Sequence, residues 1–165
     1  MRGVTVVQSF EFPVQVDGPD GDANECVAVL VYETQRDMVL AANEFNGVQD
    51  PEEVNPPWGF TQGYGGGGLL TEEPRATIRL CRPALLRTVA LHELIHATQW
   101  VYNWGRLNRA EGNPWDINNE HYAYLVQHSW EFVNEGIDWT ACTHPDGPDA
   151  SGPDIFTKLE KVSDD

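Results

Sequence analysis

The sequence predicts an α+β fold: a small mixed or antiparallel sheet packed on one buried helix, with a second helix beside it. Three observations carry this expectation. Strand-like alternation at residues 4–16 and a Val-rich apolar run at 26–32 lie in the first third of the chain. A short alternating run at 76–81 leads directly into a long apolar helix, and a further helical segment follows at 117–134. With 165 residues and no internal repeat, one domain spanning 1–165 is expected. It divides into N-terminal strands with a Gly/Pro-rich loop (1–75), a core (76–134) and a C-terminal extension (135–165).

Each element has its own signal. Residues 4–16 read as one or two strands, with Pro13 marking an edge or a bend. A Gly/Asp/Pro loop follows at 17–24, and residues 26–32 (CVAVLVY) are the best candidate for a central strand. Residues 34–45 predict a short helix, with Thr34 as its N-cap and Asn46-Gly47 as its stop. Residues 49–70 read as one long irregular loop, rich in Pro, Gly and aromatics, of the kind that is functional or mobile. The strand at 76–81 (ATIRLC) then enters a helix expected over 82–104, with Pro83 in its first turn and Gly105 as its stop. A linker at 105–116 precedes the second helix, 117–134, with Asp116 as N-cap and Gly136 after its end. The remainder is polar and Pro/Gly-rich, with a short amphipathic end at 155–162.

Composition excludes some functions. The net charge of −16, with acids clustered in loop-like segments, argues against direct nucleic-acid binding, which needs a basic stripe. The acidic balance suits solubility and hints at basic peptide partners. No apolar run is long enough to span a membrane, and the first 16 residues alternate like a strand rather than forming a signal peptide, so a cytoplasmic location is the default. Cys26, Cys81 and Cys142 form no C-x-x-C pair and are expected as buried thiols.

The chemistry is concentrated at His92-Glu93-Leu94-Ile95-His96, an H-E-x-x-H pattern inside the long helix. Residues four apart on a helix lie about 40° apart around its axis and one turn apart along it, so the two imidazoles can converge on one metal ion. Glu93 is placed to reach a water on that metal. The helix is apolar nearly all round and is expected to be buried, which would leave His92, Glu93 and His96 in need of partners that one zinc ion supplies. A catalytic zinc takes three protein ligands and keeps one position open. The extended pattern with Gly and His at the third and sixth positions after the second His fails, because Gln99 and Tyr102 stand there. Glu111, Asp116, Glu120, His121, His128 and His144 are the downstream candidates, with Glu120 foremost by its place near the start of the second helix.

At Asn119-Glu120-His121-Tyr122-Ala123 the chain carries an N-E-x-x-A pattern, and with H-E-x-x-H it resembles the gluzincin metallopeptidases, especially compact single-domain (minigluzincin-like) members from bacteria and phages. The resemblance covers residues 76–134. It implies a zincin-like fold with one catalytic Zn2+ held by His92, His96 and Glu120. Glu93 then acts as general base for peptide-bond hydrolysis by a zinc-activated water. Tyr124 and His128 share an i, i+4, i+8 ridge with Glu120 and are candidates for stabilising the oxyanion or supporting the site. In that family an edge strand lines the cleft, and 76–80 fits by order in the chain, with the glycines at 64–68 as a lid or a plain connector. The expected partner is a peptide or protein, with no nucleic acid and no membrane. The competing expectation is a zinc-stabilised structural or interaction protein, phage-derived or otherwise, whose peptidase activity is lost or latent. Glu93 separates the two, since a purely structural site gains nothing from a base beside an open coordination position.

Overall fold

The computed structural model describes residues 3–16, 23–47, 57–63, 74–107 and 120–151. Four strands form one mixed sheet: β1 (Val6–Val16), β2 (Ala23–Tyr32), β3 (Gly59–Gly63) and β4 (Ala76–Cys81), in the order β1-β2-β4-β3. β2 runs antiparallel to β1 and parallel to β4, and β3 closes the other edge antiparallel to β4, with Gly59 opposite Leu80 and Gly63 opposite Ala76. The helices are α1 (Gln35–Phe45), α2 (Arg87–Leu107) and α3 (Glu120–Gly136). The α+β class predicted from the alternation and the apolar runs is what the chain adopts.

The period-2 alternation of the strands assigns each sheet face to a helix. Val27, Val29 and Val31 of β2 and Ala76, Ile78 and Leu80 of β4 join Leu94, Ala97 and Val101 of α2 in the main core. The opposite face, with Tyr32 and Cys81, packs against Met38 of α1 in a smaller cluster. β4 is therefore buried along its whole length, although polar residues alternate with apolar ones in its sequence. Thr77 and Arg79 are its polar members, and Arg79 carries the charge. It is buried on the α1 side, with Nε donating to Gln62 Oε1 at 2.5 Å and Nη1 bonded to the Tyr32 hydroxyl.

Two expectations about the middle of the chain change. Residues 59–63 are not irregular: glycine ends this short segment on both sides, but Phe60 and Gln62 turn to the α1 face while Thr61 turns to α2. As a consequence β4 lies inside the sheet, and the edge beside α2 belongs to β3. Three residues between two glycines leave too little alternation for the sequence pattern to register. The glycine-rich YGGGG segment at 64–68, read above as a lid or connector, lies outside the described residues.

α1 begins and ends as the sequence predicts. The Thr34 side chain accepts from the Asp37 N–H at 3.0 Å, and the helix stops at Asn46 with Gly47 at a φ of 69°. α2 starts later than expected. Arg82–Ala84 forms a separate 3₁₀ turn, Leu85 breaks the helical geometry at ψ 68°, and the N–H of Arg87 donates to the carbonyl of Pro148. The C-terminal segment thus supplies one of the acceptors that a helix start lacks. The helix also continues past Gly105 to Leu107, since a single interior glycine costs only about 1 kcal/mol. The N-cap expected at Asp116 lies outside the described residues, where α3 begins at Glu120.

α3 packs antiparallel to α2. Tyr122 near its start meets Ile95, Thr98 and Tyr102, whereas Asn134 near its end is hydrogen-bonded to Arg87. Leu125, Ser129 and Val133, spaced by four, form its buried stripe. Phe132 stacks on Phe12 of β1 with ring centroids 6.1 Å apart. No helix among the described residues is long and apolar enough to cross a membrane.

Candidate metal centre on α2

The α2 helix has three faces. Leu94, Ala97 and Val101 are fully buried against the sheet, and Thr98 and Tyr102 are buried on the α3 flank. The third strip, with His92, His96 and Asn103, is exposed, and Ile95 and Trp100 at its margins keep 37% and 40% of their surface. The helix is therefore not buried all round. The expectation that burial forces a metal on the histidines is corrected: sheet and α3 cover two sides, and among the described residues no element covers the third.

On that strip the histidines converge. His92 Nε2 and His96 Nε2 lie 3.2 Å apart, with ring centroids separated by 4.8 Å and planes at 79°. Two imidazole nitrogens at about 2.0–2.1 Å from one tetrahedral zinc are separated by roughly 3.3–3.4 Å, so the pair fits a shared ion. Without metal the same spacing is a hydrogen bond between the two rings, with the donor set by tautomer.

Glu93 differs from its neighbours. It turns into the seam between α2 and β3 and is only 7% exposed. The Thr61 hydroxyl stands 2.8 Å from both Glu93 Oε2 and the Glu93 main-chain carbonyl. Gly59 leaves room for the carboxylate: a Cβ there would lie 2.7 Å from Glu93 Cγ. The carboxylate is thus fixed by β3, one residue along α2 from the first histidine. Thr61 and Gly59 are absent from the sequence-based site because their strand was not recognised.

The remaining candidates are dispersed. Glu120 is exposed at the first residue of α3, about 180° around the helix from buried Ser129. Tyr124 and His128 line a cavity of about 600 Å³ between α3 and β1, together with His121 and Phe132, and not the groove at His96. Tyr124 is 57% exposed, and His128 pairs with Glu131 at 3.5 Å. His144 turns its Nδ1 to the Asp146 N–H and its ring to Trp58. Glu111 and Asp116 lie outside the described residues. Among the described residues no three His, Cys, Asp or Glu side chains gather as a metal-binding group. α3 turns toward α2 through Tyr122, which lies 200° around the helix from Glu120, the first residue of the expected ridge.

Tyr122 was not singled out by the sequence, yet it is the α3 side chain that reaches α2 beside the motif. Its hydroxyl lies 3.3 Å from both the Ile95 carbonyl and Thr98 Oγ1. Burial pushes the phenol above its ordinary pKa, against the lowering by hydrogen bonds to Thr98 and Gln99, so it is a neutral donor near pH 7. Beside His96, a groove of about 400 Å³ runs between β3 and α2, lined by Thr61, Gly63, His96, Gln99, Trp100 and Asn103.

Compared with known proteins, the chain matches no family model, no curated protein and no solved structure. The gluzincin resemblance rests on the H-E-x-x-H and N-E-x-x-A residues alone.

Proposed function

We propose that the chain is a zinc-dependent peptide hydrolase. The observation that carries this reading is the His92–His96 pair, with nitrogens 3.2 Å apart at the edge length of a tetrahedral zinc site and a fixed buried carboxylate one residue away. His92 and His96 would hold the ion; the resemblance makes Glu120 the proposed third ligand, which would have to turn toward the pair from its exposed place at the start of α3. Zinc, when bound, supplies a Lewis acid and a hydroxide source near neutral pH. Glu93 acts as general base, taking the proton of the attacking water and passing it to the leaving amine. Thr61 holds the Glu93 carboxylate in one orientation, which spares the base a reorganisation during turnover. β3, the edge strand of the sheet among the described residues, would give an extended peptide a strand to pair with beside the histidines.

A zinc-stabilised interaction protein is the competing reading. It draws on the lack of a third donor beside the pair among the described residues. Replacement of Glu93 by Gln separates the two. The hydrolase reading expects zinc content unchanged and peptide hydrolysis reduced by about 10²–10⁴-fold, the usual contribution of a general base. Wild-type protein that carries zinc and cleaves no peptide supports the interaction protein instead.

A further inference from the structure

We infer that the groove between β3 and α2 is a side-chain subsite for arginine, with Trp100 as its stacking surface; the inference rests on the peptide-hydrolase reading of the adjacent histidine pair. The groove begins at His96 and continues along the same strip of α2 to Trp100 and Asn103. Trp100 keeps 40% of its surface open although it sits against the sheet edge. Its indole lies directly on the backbone of Gly63, where a Cβ would come within 2.2 Å of Trp100 Cε2. A large ring held in place by backbone, with surface still open to a groove, is a preformed platform rather than core packing.

The flanking groups select the ligand. Gln99 and Asn103 lie one turn apart on the strip and line the groove with carboxamide groups, with Gln99 hydrogen-bonded to the Tyr122 hydroxyl. Among the described residues no Lys or Arg lines it, and the chain as a whole carries a net charge of −16. An indole face with amide acceptors in a negative field favours a planar cation that stacks and donates sideways, which describes guanidinium better than ammonium. The same chain already uses this arrangement internally. Arg87 lies over the Trp139 ring with its Cζ 4.4 Å from the centroid and donates to the side-chain oxygen of Asn134.

The test uses three blocked hexapeptides, alike except for a central arginine, norleucine or phenylalanine. Calorimetric titration of the zinc-loaded Glu93→Gln protein reads binding without turnover. The arginine peptide should bind about tenfold more tightly than the other two. The preference should disappear in the Trp100→Ala background and survive in part in Trp100→Phe. Equal binding of the three peptides, tighter binding of norleucine or phenylalanine, no binding at all, or a preference that persists in Trp100→Ala would overturn the subsite. Hydrolysis by the wild-type protein is measured separately: arginine-selective binding without cleavage of any peptide removes the hydrolase reading and leaves the subsite standing.

Discussion

At the scale of single residues, Glu93 separates catalytic from structural use of the histidine pair. A carboxylate that is 93% buried must have a partner, and Thr61 provides it from a different element. Thr61→Val keeps the shape and removes the donor. It should lower kcat about tenfold or more while zinc content stays constant, and an unchanged kcat would show that the hydroxyl does not orient the base. Gly59→Ala attacks the same contact sterically, because the new methyl would meet Glu93 Cγ at 2.7 Å. That variant is expected to lose activity by displacing the carboxylate, with its zinc retained. The three motif residues were legible in the sequence because helical periodicity alone brings positions four apart together. Thr61 was not legible: its role depends on a non-local pairing of β3 with β4, which no local pattern announces.

At the scale of elements, the sequence was most informative where one strong local signal decided the outcome. Thr34 and Gly47 delimit α1 as expected, and the alternating valines of β2 sort its two faces. Thr34→Ala should cost about 1 kcal/mol of stability by freeing the Asp37 N–H, read as a lower urea midpoint with unchanged slope. Leu94→Ala should cost about 2–5 kcal/mol, since the side chain is wholly enclosed in the main core between the two histidines in sequence. A small effect there would mean that α2 does not pack on the sheet as described. Elements set by tertiary contacts were harder to foresee. β3 is five residues bounded by glycines, and the start of α2 is moved to Arg87 by an acceptor from Pro148, some 60 residues away. The rotation of α3 belongs to the same class. It follows from the contact of Tyr122 with α2, and it takes Tyr124 and His128 to the opposite cavity.

At the scale of the whole molecule, the sheet and the two longer helices leave one strip of α2 that no other element covers among the described residues, and His92 and His96 lie along it. The sheet buries one face of α2, α3 covers the next, and the histidines occupy the remaining side beside edge strand β3. Composition alone suggested a uniformly buried helix, because a count of apolar residues does not register that Ile95 and Trp100 border a groove. The central claim is that this strip holds one zinc ion through His92 and His96. Isothermal titration of metal-stripped protein with zinc tests it most directly, with His96→Ala and Glu120→Ala measured alongside. The account predicts one site per chain in the wild type, abolished in His96→Ala and sharply weakened in Glu120→Ala. Unchanged binding in Glu120→Ala would move the third ligand elsewhere. A wild-type chain that takes up no zinc, or a His96→Ala variant that binds it equally well, would contradict the account.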